Sequence, residues 1–149
     1  MRKTALILFF LSLIAVCDAQ HYIGENKAYV ITQFAYDLDV RRITMNRERS
    51  HNVDYEVLTY RFADRSQYYY INPENNICES HAALYDSPTA KDSLITIFDR
   101  RYRRIPHSQD TLSIAWIEYG DGVNYKRVLR DFHPPACLVV LAVDKKVED

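Results

Sequence analysis

The sequence predicts an all-β domain: a twisted, curved antiparallel sheet, a sandwich or an open half-barrel. Three observations carry that prediction. Runs rich in tyrosine, valine, isoleucine and threonine recur at short intervals, and such residues fit a pleated, half-buried surface. The runs are separated by turn chemistry, clearest at Asn72-Pro73-Glu74-Asn75-Asn76 and Gly120-Asp121-Gly122. Strands joined by such short connections pair antiparallel, and a sheet of eight or nine of them tends to curl or split into layers.

The chain opens with Arg2-Lys3, an apolar stretch from Ala5 to Val16 and a small residue, Ala19. That pattern predicts a secretory signal peptide over residues 1–19, and the apolar stretch is too short for a membrane span. A lipoprotein signal with Cys17 as the modified residue is disfavoured by the bulky Val16 before it. Residues 20–149 are then read as a single secreted, extracellular domain of ordinary size.

Ala28 to Tyr36 has strand composition, with a turn at Asp37-Leu38-Asp39 and a return strand from Val40 to Met45. Asn46 to Asn52 is polar and reads as a loop. Val53 to Phe62 is the clearest strand, with Val53, Tyr55 and Val57 on one face and Leu58, Tyr60 and Phe62 on the other. After a turn at Asp64-Arg65-Ser66, the run Tyr68-Tyr69-Tyr70-Ile71-Asn72 is a strand, and Cys78 begins its return. Glu79 to Asp92 reads as a connecting segment, with at most a helical turn near Ala82-Ala83-Leu84. Leu94 to Phe98 is read as a strand and Asp99 to Gln109 as a long charged loop. Thr111 to Tyr119 and Val123 to Arg130 form a hairpin about the glycine turn. His133-Pro134-Pro135 breaks the chain before a last strand, Cys137 to Val143, and a charged tail. No internal repeat is apparent in the sequence.

Loss of residues 1–19 removes Arg2, Lys3 and Asp18, leaving 17 basic and 19 acidic side chains and a net charge near −2. That balance gives no reason to expect nucleic acid as a partner. It also leaves two cysteines, Cys78 and Cys137, which in an extracellular chain read as one disulfide. Closing so long a loop would contribute roughly 4 kcal/mol in the chain-entropy model.

No Gly-x-Ser-x-Gly elbow, phosphate loop or His-Glu-x-x-His is present, so an enzyme is not expected, and neither is a cofactor. His21, His51, His81, His107 and His133 are scattered without metal-ligand spacing. Asp37, Asp39 and Asp121 could lend oxygens to a loose calcium site, although solvated turn aspartates are the preferred reading. Arg100, Arg101, Arg103 and Arg104 with Tyr102 among them make a basic cluster suited to an acidic polysaccharide or matrix partner, or a plain solvated loop. Trp116 shares a face with Leu112 and Ile114, and both faces of its strand are apolar enough that one could line a cavity. The expected lining of an apolar ligand pocket is Phe34, Tyr60, Phe62, Tyr70, Ile97, Ile114 and Trp116. The competing class is an adhesive or extracellular-matrix protein that uses its twelve tyrosines and its arginines as a contact surface.

Several spaced features coincide across Ala28 to Val143. They are Phe34, Tyr36 and Asp37 followed by Arg41-Arg42; Tyr70-Ile71-Asn72 leading to Cys78; and Trp116, Tyr125 and Cys137, the last after His133-Pro134-Pro135-Ala136. In order and spacing the chain resembles the ependymin-related family. The resemblance implies a secreted protein with two stacked antiparallel sheets and a deep hydrophobic pocket, similar to bacterial lipoprotein carriers. It further implies lipid-like or other hydrophobic small-molecule ligands, a homodimer and, in some members, calcium. The additional cysteines and N-glycan sites usual in that family are missing here, and the segment between Cys78 and Trp116 is reduced.

Overall fold

The structure, a computed structural model of the chain, describes residues 22–35, 37, 39–40, 42–50, 52–106, 113–120, 122–133 and 135–144. The expected signal peptide, along with Leu112 and Asp121, lies outside them. The described residues form one eight-stranded antiparallel sheet, β1 Arg42–Ser50, β2 Val53–Arg61, β3 Arg65–Asn72, β4 Ile77–Tyr85, β5 Arg103–Arg104, β6 Ser113–Tyr119, β7 Asn124–Asp131 and β8 Cys137–Val143. Two helices accompany it, α1 Lys27–Phe34 and α2 Ala90–Arg101. The strand order is β1-β2-β3-β4-β8-β7-β6-β5, so the sheet is open, with β1 and β5 at its edges.

This order contains a symmetry that the residues do not advertise. Each half of the chain is a helix followed by a four-stranded meander, and β4 and β8, the last strand of each half, pair down the middle. The mostly-β expectation holds, but the strands form one sheet rather than two stacked ones. The helices supply the covering layer that a second sheet would have supplied.

Both helices replace expected strands. Ala28 to Tyr36 has β-branched and aromatic residues, yet Val30 and Phe34 are buried while Tyr29 and Ile31 are 43% and 42% exposed. Spacing of four between buried residues is helical, not period two. Asn26 caps the helix, accepting a hydrogen bond from the Tyr29 backbone N–H at 2.9 Å. In α2, Leu94 and Phe98 repeat that spacing, with Asp92 in the first turn and Arg100 and Arg101 in the last, as the helix dipole favours. The expected connection from Glu79 to Asp92 is mostly β4, and the expected loop from Asn46 is most of β1.

The turn at Asn72 to Asn76 is as read, whereas Arg65 and Ser66, expected in a turn with Asp64, begin β3. Asn72 Oδ1 accepts from the Glu74 N–H and Asn75 Oδ1 from the Ile77 N–H, both at 2.9 Å. Asn52 and Asn76 occupy the left-handed region that asparagine tolerates, with φ of 65° and 58°.

Both helices lie on the same face of the sheet. Under α1, Val30 and Phe34 pack with Leu58, Tyr60, Phe62, Tyr69, Ile71 and Cys78. Under α2, Leu94 and Phe98 pack with Ala83, Tyr85, Trp116, Leu129, Cys137 and Val139. Between these two cores runs a buried polar seam of Gln67, His81 and Arg127. Arg127 sits 4.7 Å from the Phe98 ring centre and 4.6 Å from that of Tyr102, and pairs with Glu118 at 3.2 Å.

The expected Cys78–Cys137 disulfide is corrected by this topology, and both cysteines are free and buried. Cys78 begins β4, whereas Cys137 pairs with Tyr85 at the far end of that strand. At about 3.3 Å per residue the seven steps from Cys78 to Tyr85 span roughly 23 Å, and a disulfide needs Cα atoms within about 7 Å of each other. One thiol belongs to each core.

Candidate functional site

The face of the sheet opposite the helices is the candidate site. Alternation along the strands sends Tyr69, Ile71, Ala83, Val139 and Leu141 to the helix side and their neighbours to the other. Those neighbours are Tyr68 and Tyr70 of β3, Ser80, Ala82 and Leu84 of β4, and Leu138, Val140 and Ala142 of β8. Together with Glu48 and Ser50 of β1, Tyr55 of β2 and Arg130 of β7 they line an open hollow of about 930 Å³. Ile23, Gly24 and Ile77 close one end, and Phe132 also borders it. Since strands from β1 to β7 bound a single hollow, this face is concave.

The floor is aliphatic because β4 and β8 run through the centre of the sheet, and its polar groups lie toward the ends. At one end Glu79 accepts from the Tyr55 hydroxyl at 2.6 Å and from Asn72 Nδ2 at 2.9 Å. The Tyr55 and Tyr70 rings meet edge to face at 6.1 Å. The hydrogen bond to Glu79, then burial, pushes the Tyr55 phenol up to about 12. Burial first, then the negative charge of Glu48 and a hydrogen bond to it, pushes Tyr70 up to about 12 as well. Both phenols are therefore neutral at physiological pH, and Glu79 is satisfied by Tyr55 and Asn72. Across the long axis, one cross-strand row carries Arg42, Arg61, Ser66, Leu84, Leu138 and Arg130 on this same face.

The structure separates the seven residues expected to line one pocket. Phe34, Tyr60 and Phe62 come together under α1, where Phe34 stacks on Tyr60. Ile97, Ile114 and Trp116 come together under α2, with Trp116 fully buried and its Nε1 donating to Asp99 Oδ1 at 2.8 Å. Only Tyr70 of the seven lines the hollow. Tyr55, Ala82, Leu84, Val140, Ala142 and Arg130 escaped sequence reasoning. The one local signal was Tyr68 and Tyr70 flanking Tyr69, which alternation must send to the opposite face.

Of the calcium candidates, Asp37 Oδ1 accepts from the Asp39 backbone N–H at 2.9 Å, an ordinary turn bond. Among the described residues no three His, Cys, Asp or Glu side chains converge as a metal site. No described helix is long and apolar enough to cross a membrane. Comparison of the chain with models of known families, with curated proteins and with solved structures finds no match. The geometry of the concave face therefore carries the functional argument.

Proposed function

We propose that the protein is a secreted, non-enzymatic binding protein that holds a lipid-like or other hydrophobic ligand against the concave face of its sheet. The observation that carries this reading is the open hollow of about 930 Å³ floored by Ala82, Leu84, Leu138, Val140 and Ala142. Its volume lies at the upper end of small-molecule sites, which are mostly apolar with a few placed polar groups. Burying ligand hydrocarbon there contributes about 25 cal/mol per Å² before the costs of association. The test is uptake of a fluorescent fatty-acid analogue by the wild type and by Ala142→Trp, which fills the hollow from a half-buried position. Saturable uptake lost in the variant, with unchanged circular dichroism, supports the proposal; equal uptake by both removes the hollow as the site.

One observation favours a second reading, an extracellular-matrix or cell-adhesion protein. Arg100, Arg101, Arg103 and Arg104 are all exposed where α2 ends and edge strand β5 begins, beside Tyr119, which is 62% exposed. Such a patch suits an acidic polysaccharide. Retention on a heparin column to high salt favours this reading, and elution at low salt counts against it.

A further inference from the structure

The hollow is polar at both ends, but the two ends differ in what they leave available. At the Tyr55 end Glu79 accepts from Tyr55 and Asn72. In the row of Leu84 and Leu138 Arg130 lines the hollow, its positive charge reaching as far as the Tyr70 phenol, and among the described residues it pairs with no carboxylate. A guanidinium offers five donors in a planar fork that matches a carboxylate. Arg61 and Arg42 extend the same cross-strand row on the same face, whereas Lys126 stands in the row of Ala142, Ser80 and Tyr70.

Resting on the binding reading above, we propose that the ligand is a long-chain carboxylic acid whose anionic head is held by Arg130. Its hydrocarbon runs over Leu84, Val140 and Ala82 toward Tyr70 and Tyr55. The dimensions agree. From the Arg42 row to the Glu48 row is six residues along β1, or about 20 Å at ~3.3 Å per residue, comparable to an extended fatty acyl chain. The charge pattern agrees too. A carboxylate beside Tyr55 would face Glu79, whereas in the Arg42 row it meets the Arg130 guanidinium, which forms no ion pair among the described residues. A cationic amphiphile seated there would have to displace the Tyr55 phenol from Glu79.

The test uses the full chain and three probes with one hydrocarbon chain: oleate, oleyl alcohol and oleylamine. Affinities are measured by calorimetry under mildly alkaline conditions, where the acid is ionised. The expected order is acid over alcohol over amine, with the acid favoured over the alcohol on the order of tenfold. Arg130→Gln should reduce the oleate affinity to that of the alcohol while leaving the alcohol unchanged, and that unchanged value also shows that the variant is folded. Arg130→Lys should retain part of the preference for the acid. Equal binding of acid and alcohol by the wild type, tighter binding of the amine, or an acid preference that survives in Arg130→Gln overturns the head-group assignment while leaving the hollow as an apolar site. Failure of all three probes to bind overturns the binding reading and this inference with it.

Discussion

Phe34 of α1 stacks on Tyr60 of β2, with ring centres 4.1 Å apart and planes inclined by 29°. Both side chains are buried, and Tyr22 and Phe62 meet Phe34 edge to face at 5.6 Å and 6.3 Å. The pair is what fastens the first helix to the sheet, and it fills the space on that side. Phe34→Ala should lower the unfolding free energy by about 3–5 kcal/mol in urea titrations. Ligand uptake per folded molecule should not change, since the concave face lies on the other side of β2. Loss of uptake without loss of stability would move the site under α1.

Acid should destabilise the fold through His81. This side chain is fully buried beside Tyr69, at 4.7 Å between rings, and burial, with positive Arg127 and Arg65 adding, brings its pKa from 6.5 down to about 3. The folded state keeps the ring neutral while the unfolded chain protonates it below pH 6.5. Stability is therefore full above that pH and falls between 6.5 and 3, by up to about 1.4 kcal/mol per pH unit. His81→Leu should flatten that slope in unfolding measured at pH 6, 5 and 4; an unchanged slope would assign the acid sensitivity to carboxylates alone.

The cysteines should be thiols in the native protein. Intact mass under denaturing, non-reducing conditions should show no two-proton loss, and iodoacetamide should then label both Cys78 and Cys137. In the native state labelling of Cys78 should be slow, because burial pushes its thiol up to about 12. A reductant-dependent melting temperature would contradict the topology, which separates the two residues by the length of β4.

Arg127→Ala should cost about 3–5 kcal/mol, because it removes one partner of a largely buried charge pair and the cation held against Phe98 and Tyr102. Only 5% of the Arg127 side chain is exposed, against 23% for Glu118. Glu118→Gln, from the wetter side of the pair, should cost less. The same cost for both variants would show that the ion pair alone, and not the aromatic contacts, holds this seam.

The strands legible in the sequence were those with a polar face or a strong turn beside them. Val53 to Phe62 and the tyrosine run alternate cleanly, Asn72-Pro73 marks the end of the tyrosine run and Gly120 the end of β6. The helices were hidden because α1 and α2 use Val30, Ile31, Phe34, Ile95, Ile97 and Phe98, residues that in isolation favour strands. Their i,i+4 pairs, Val30 with Phe34 and Leu94 with Phe98, were the signal that competed with composition. Strand β4 was hidden for the opposite reason. Glu79, Ser80 and His81 look like loop, but Glu79 is bonded by Tyr55 and Asn72, and His81 is walled in by the seam. The site depended on which face the helices cover. That choice drew the largest aromatics, Tyr60, Trp116 and Phe34, into the two cores and left smaller aliphatics to floor the hollow.

The measurement closest to the central claim is native mass spectrometry of the purified protein, followed by organic extraction of what it carries. The expected spectrum has a lipid-sized adduct at one per chain, retained by Phe34→Leu and lost in Ala142→Trp, with a fatty acid in the extract. A clean unliganded mass that stays clean after lipid is added, or an adduct that survives in Ala142→Trp, would contradict the claim that the concave face is a binding site.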